Sequence, residues 1–373
     1  MSFSAGSAAF TPVQPLKTAL YGAAAWGDYD GDGDLDLVVQ GSTTVDPPYV
    51  AATTLYRNDA GTLVDVEAGL AGLHSGAVAW GDYDLDGDLD LLLTGEEASE
   101  RYRTVLYRNE GAGRFAEVET GFPGVGYSDA AWGDYDGDGD LDVALAGVSD
   151  EGFLTVLYRN GRAAGFERTA DDLVDVAFST VAWGDYDGDG DPDLALSGRA
   201  EEGLVTRIYR NDAGPSGTAF VEVQALRGVQ GGNLSWGDFD GDADLDLLAS
   251  GGVLDPFILR GTTTVYRNEG GHFAAHDVGV EGTMGSTLWG DYDEDGDLDL
   301  LVSRMENVLD SPVLLVYENV GGTYRPATFG KGFILDTTLW YDANGDGRPD
   351  ILTMGSNDPD VGYFYLDMTR FTF

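Results

Sequence analysis

Cysteine is absent from this 373-residue chain, and histidine, with three copies, and lysine, with two, are nearly so. Without thiols there is no disulfide, zinc–thiolate centre or thiol nucleophile. Basic residues number 20 against 66 acidic ones, a formal charge of −46, so nucleic acid and anionic membrane surfaces are repelled rather than bound. No apolar run reaches the ~20 residues that cross a bilayer, and membrane insertion is not expected. The first residues, MSFSAGSAAFTPV, lack a basic start and a continuous apolar stretch. The expectation is that the chain either is not exported by the usual signal route or has had its signal removed. Glycine and aspartate are what the chain has in excess.

Aspartate concentrates in seven short stretches, each opened by one of the seven tryptophans and each holding two or three glycines. The third, WGDYDGDGDLD, begins at Trp132 and carries Asp134, Asp136, Asp138, Asp140 and Asp142. The same spacing gives Asp28, Asp30, Asp32, Asp34 and Asp36, then Asp82, Asp84, Asp86, Asp88 and Asp90. It returns at Asp185, Asp187, Asp189, Asp191 and Asp193, and at Asp238, Asp240, Asp242, Asp244 and Asp246. The sixth copy has Asp291, Asp293, Asp295, Asp297 and Asp299; the seventh reads Asp342, Asn344, Asp346, Arg348 and Asp350. These loops (28–36, 82–90, 134–142, 185–193, 238–246, 291–299 and 342–350) hold 33 aspartates and, with Glu294, 34 of the 66 acids.

Crowded carboxylates repel one another, and more so where strands exclude water. One copy could be a solvated acidic turn. Seven copies call for a cation inside each. Side chains at positions 1, 3, 5 and 9 and the backbone carbonyl of position 7 offer oxygens, with glycine at position 6 for the sharp turn. Position 12 holds Val39, Leu93, Leu145, Leu196, Ala249, Val302 and Thr353, so position 9 is expected to close the shell in bidentate fashion. Ligation by oxygen alone disfavours zinc and copper, and magnesium retains more water. The expected metal is calcium, up to seven ions, one per loop. Ala243 replaces the position-6 glycine in the fifth loop, which should be the weakest site. Arg348 at position 7 is harmless if only its carbonyl binds.

Successive tryptophans, at 26, 80, 132, 183, 236, 289 and 340, are 51 to 54 residues apart. One period offers four strand candidates: AAWGDYD, LDVALAG, FLTVLYRN and FERTADD. The expected fold is all-β, a single domain over 1–373: a seven-bladed β-propeller with four antiparallel strands per blade. The tryptophans and the LYRN tyrosines should pack blade on blade. Phe10 lies 16 residues before Trp26, so an N-terminal strand is expected to close the last blade beside Tyr365.

WGDYDGDGDLDL followed by LYRN, in units of this length, resembles the FG-GAP or VCBS family, the calcium-binding propeller repeats of integrin α-subunits and many bacterial surface and secreted proteins. The resemblance covers nearly the whole chain. It departs from the family form in having Trp-Gly where Phe-Gly is expected, and Trp340-Tyr341 in the last copy. It also has the loop in all seven units, where integrins have it in some. The family implies adhesion, carbohydrate binding in fungal lectin relatives, or occasional lyase activity.

The metal loops and RN-G hairpins should share one face, leaving the variable hairpins on the other, where recognition usually lives. There Tyr21, Tyr127 and Phe178, five positions before a tryptophan, could stack on a sugar or peptide, or merely plug the channel. Asp129, Asn233 and Asp336 could supply hydrogen bonds. With no acid–base constellation standing apart from the repeat, the chain is expected to be non-enzymatic: a monomeric, extracellular or cell-surface adhesion module binding a protein or glycan. The alternatives are a polysaccharide lyase or hydrolase, and a structural spacer or assembly unit.

Overall fold

A computed structural model describes residues 16, 20–44, 46–169, 172–212, 220–255, 258–280, 282–304, 313–331, 334–342, 350–356 and 367–369. Six four-stranded antiparallel sheets follow one another along the chain, then one of three strands. Their strands connect in sequence order, as in radial blades. The third blade is typical: Gly126–Gly133 is innermost, then Asp142–Ser149, Gly152–Asn160 and the short outer Phe166–Arg168. Among the described residues the sole helical turn is a 3-10 turn at Arg162–Ala164, between the last two of these strands. Second strands are buried on both faces because a neighbouring blade covers each side; Val143, Ala144, Leu145 and Ala146 are all 0% exposed. That explains their unbroken apolar runs.

Adjacent blades are joined by one repeated aromatic contact. The ring at loop position 2 lies parallel to the next blade's tryptophan: Tyr29 on Trp80 at 6.4 Å, Tyr135 on Trp183 at 5.9 Å, Phe239 on Trp289 at 6.3 Å. An outer-strand ring of that next blade, such as Phe115 or Phe220, closes a three-ring cluster. The indole N–H groups cross the same boundary. Trp80 donates to the Ala25 carbonyl at 3.3 Å, Trp132 to Ala79 at 3.3 Å and Trp236 to Ala182 at 3.1 Å. Trp26 and Trp340 differ, their indole nitrogens being buried without a partner. Both belong to boundaries of the three-stranded sheet.

Ring closure is carried by packing between the first and last sheets. The Thr337 hydroxyl donates to the Gly22 carbonyl at 3.0 Å, Trp26 lies 5.5 Å from Tyr341, and Leu352 joins the core of Leu16, Leu37, Val39, Tyr56 and Leu63. The expectation of seven four-stranded blades is met in six. The seventh sheet, Ile334–Tyr341, Asp350–Ser356 and Asp367–Thr369, carries three strands among the described residues. Phe10 and Tyr365, on which the expected closing strand rested, lie outside them.

The glycine after each of the first six tryptophans has a steric reason. A Cβ on Gly133 would stand 2.8 Å from the Trp183 ring, with no left-handed φ involved. Gly133→Ala should therefore lower unfolding stability by about 1–3 kcal/mol, read from denaturant midpoints, because the blades must part to admit the methyl group.

Candidate metal centres and the opposite face

Each described loop is built on its first and ninth aspartates. In the first loop Asp28 Oδ1 accepts the N–H groups of Gly31 and Asp32 at 2.8 and 3.1 Å, and Oδ2 accepts that of Gly33 at 3.1 Å. Asp32 Oδ1 then accepts the Asp34 N–H at 2.9 Å. The ninth residue, Asp36, is 0% exposed. It takes the Tyr29 N–H on Oδ2 at 3.1 Å and the Asn58 N–H on Oδ1 at 2.8 Å. Asp142 repeats this with Tyr135 and Asn160, and Asp299 with Tyr292 and Asn319. Position 9 thus ties the loop to its own blade's RN-G hairpin, and each oxygen keeps a lone pair for a metal.

The carboxylates converge. Asp28, Asp30 and Asp32 place one ligand oxygen each within 4.8 Å of the others, as do Asp82, Asp84 and Asp86. In the next three loops the ninth residue takes part: Asp134, Asp136 and Asp142; Asp185, Asp187 and Asp193; Asp238, Asp240 and Asp246. Asp134 Oδ1 and Asp240 Oδ1 are buried without a hydrogen-bond partner, as are Asp244 Oδ1 and Asp297 Oδ1. A buried carboxylate oxygen without a donor is costly unless a cation meets it, so these oxygen-only clusters fit a hard divalent ion. Burial, then neighbouring aspartates, hold the carboxyls of Asp30, Asp84, Asp136 and Asp187 above their ordinary range.

Two loop features escaped the sequence reading. Position 4 is left-handed as well as position 6, so Leu85 and Glu294, at φ 59° and 62°, occupy a conformation that glycine takes elsewhere. The fifth loop differs by more than its alanine. Ala243 sits at φ 74°, and Arg267 pairs with Asp240 and Asp242 at 2.8 and 2.9 Å. In other blades this arginine turns to the hairpin instead, Arg57 to Asp59 and Arg210 to Asp212. The fifth loop therefore carries an internal counter-ion. In the seventh, Asp342 is described and Asp350 begins a strand, whereas Asn344, Asp346 and Arg348 lie outside the described residues.

The opposite face is shaped by bulges. The innermost strands slip register between Leu20 and Ala23, between the partners of Ala146 and Val148, and between Ala177 and Thr180. Tyr21, Tyr127 and Phe178 sit in these slips at φ 49°, 46° and 50°. A bulge re-aims its side chain, here at the channel mouth. Tyr127 and Phe178 lie 4.9 Å apart, and Phe178 is 38% exposed. Asp129 and Asn233 turn to neighbouring blades instead: Asp129 Oδ2 accepts the Val181 N–H at 2.9 Å and Asn233 donates to the Thr287 carbonyl at 2.8 Å. His74 is 2% exposed, with Nδ1 3.0 Å from Ser75 Oγ, and is a core residue.

The FG-GAP-like repeat family matches residues 28–93, 94–145, 134–196 and 185–249, together more than half of the chain. No curated protein matches it. Among solved structures, it is similar to an Agrocybe aegerita lectin specific for non-reducing terminal N-acetylglucosamine. That likeness has 19% identity and a TM-score of 0.53, covering 84% of this chain and 80% of the lectin. An exo-β-1,3-galactanase of Phanerochaete chrysosporium aligns at 10% identity and TM-score 0.34, over 85% of this chain and 70% of the enzyme. An exotype rhamnogalacturonan lyase aligns at 13% and 0.33, over 96% and 60%. Scores that low carry no inference about this chain.

Two outcomes follow from the loops. Burial above all pushes Asp36, Asp90, Asp142 and Asp193 up to about 7, and Asp246 and Asp299 to about 6, from 3.8. A carboxyl raised in the folded state binds its proton more tightly there, so the stability it confers at low pH is lost as pH climbs from about 4 through about 7. In chelator, the melting temperature should be higher at pH 5 than at pH 7.5, and a saturating divalent cation should remove that slope. Separately, Ala243→Gly should raise stability by about 1 kcal/mol, measured by denaturant titration, by relieving the left-handed alanine.

Proposed function

Because the chain belongs to the FG-GAP-like repeat family, we propose that it is a calcium-stabilised, non-catalytic recognition module that binds a glycan at the channel mouth opposite its metal loops. Positions 1, 3, 5 and 9 of each loop, with the position-7 carbonyl, would hold one ion, up to seven around a seven-bladed ring. Bound calcium supplies positive charge where carboxylates crowd. The chain's own residues do the rest: Asp28 and its equivalents curl the loop and Asp36 and its equivalents fasten it. An extracellular, calcium-rich setting suits so many sites.

One observation carries the binding reading. Tyr21, Tyr127 and Phe178 are held at the mouth by left-handed backbone that bulky residues avoid, and such strain persists where it serves a site. The paired rings of Tyr127 and Phe178 form a platform for the apolar face of a sugar. The fold likeness to a lectin accords with this. Catalysis is less favoured, since His74 is enclosed and His272 and His276 are exposed residues flanking an outer strand.

The test joins a glycan array to thermal melting. Millimolar calcium should raise the melting temperature well above its value in chelator. Phe178→Ala should weaken binding to array-positive glycans by roughly tenfold without lowering that temperature. Release of sugar or unsaturated product from those glycans would replace this reading with an enzymatic one.

A further inference from the structure

Beside the rings of the mouth stands a carboxylate with no counter-ion among the described residues. Glu96 ends the second strand of its blade and exchanges backbone hydrogen bonds with His74, at 3.1 and 2.8 Å. The neighbouring Ser75 links two of the aromatic positions: its N–H donates to the Tyr21 carbonyl at 2.6 Å, and its own carbonyl accepts the Tyr127 N–H at 2.5 Å. Tyr102 faces Glu96 across the hairpin, and its ring lies over Gly126, where a Cβ would come within 2.5 Å. Tyr49 completes the set, 5.5 Å from Tyr21 and 5.0 Å from His74. Two partly exposed phenol rings, Tyr102 and Tyr127, thus feel a half-buried acid, and Tyr21 and Tyr49 stand together beside the adjoining His74 and Ser75.

Nothing basic among the described residues pairs with Glu96. Arg103 is taken by Glu97 and Glu117 at 3.2 and 2.7 Å, and Arg101 is exposed at the hairpin tip. Charges felt by the rings are acidic. Burial, then Glu96, raise the phenols of Tyr127 and Tyr102; burial, Tyr49, Tyr127 and Asp46 raise that of Tyr21. Burial, then Glu100, lift the Glu96 carboxyl.

We propose that this pocket takes an ammonium group, and that the glycan bound at the mouth is an amino sugar whose amine is free rather than acylated. The proposal rests on the glycan-binding reading above. Aromatic faces attract a cation, a carboxylate shielded from water pairs with it, and a chain of net charge −46 draws cationic ligands and repels uronates. The sugar ring would lie on Tyr127 and Phe178, with its amine toward Glu96.

Isothermal titration would compare a glucosamine trisaccharide with its N-acetylated counterpart, using the calcium-loaded protein at low and physiological salt. The free amine should bind roughly tenfold tighter, with a preference that shrinks as salt rises. Glu96→Gln, which keeps shape and backbone pairing, should abolish the preference while leaving the melting temperature unchanged. Equal or tighter binding of the acetylated sugar by the wild-type protein, indifferent to salt, overturns the ammonium pocket but leaves glycan binding standing. Binding of neither sugar, together with a blank array, overturns the glycan reading itself. The wild-type salt dependence decides the matter even if the variant does not fold.

Discussion

A buried aspartate that accepts two backbone N–H groups is the joint on which each blade turns. Asp36, Asp90, Asp142, Asp193, Asp246 and Asp299 are all 0% exposed. Each binds the start of its own loop and the asparagine N–H of its own hairpin, as Asp193 does with Tyr186 and Asn211 at 3.1 and 2.8 Å. The bonds would stabilise the ionised form, yet burial outweighs them and the carboxyl is held high. A charge in that position is tolerable only near compensating charge. The proposed metal ligation and the hairpin geometry therefore draw on one residue.

The asparagine carries the coupling to the next blade. Asn109 donates to the Leu89 carbonyl of its own loop at 3.1 Å and to the Tyr29 carbonyl of the preceding loop at 2.8 Å. Asn160, Asn211, Asn268 and Asn319 repeat the second bond to Tyr83, Tyr135, Tyr186 and Phe239. Tyr29 is also the residue whose N–H meets Asp36 and whose ring stacks on Trp80. One dipeptide, Asp28–Tyr29, thus links metal loop, aromatic seam and neighbouring hairpin. Disturbing one loop is felt at the next through a chain of short contacts, which repeat proteins use to gain cooperativity.

Repetition made most of this legible in the sequence. A spacing repeated seven times averages away local ambiguity, so the four strands found in six blades, the convergence of the loop carboxylates and the tryptophan packing could be read. What could not be read depends on contacts between distant repeats. The bulges at Tyr21, Tyr127 and Phe178 leave no local signature, because a bulky residue at positive φ is disfavoured by propensity and is imposed by the register of the adjoining strand. Arg267 looks like every other LYRN arginine; only the fold shows that it lies on Asp240. His74 carries no local sign of its burial, and only the fold brings Tyr49 against it.

The two faces answer to opposite electrostatic demands. On the loop face, carboxylates are close enough to need a cation, and backbone N–H groups fix their arrangement. On the other face, acids such as Glu96 stand singly among rings, and no backbone donor or arginine among the described residues neutralises Glu96. Sparse charge beside aromatic surface suits reversible capture of a small cationic group, because release costs one ion pair rather than a coordination shell. A divalent ion finds too few oxygens there, and an ammonium group finds too little aromatic surface on the loop face. On the proposed reading, that difference would let one strongly acidic ring hold ions on one side and remain open to a ligand on the other.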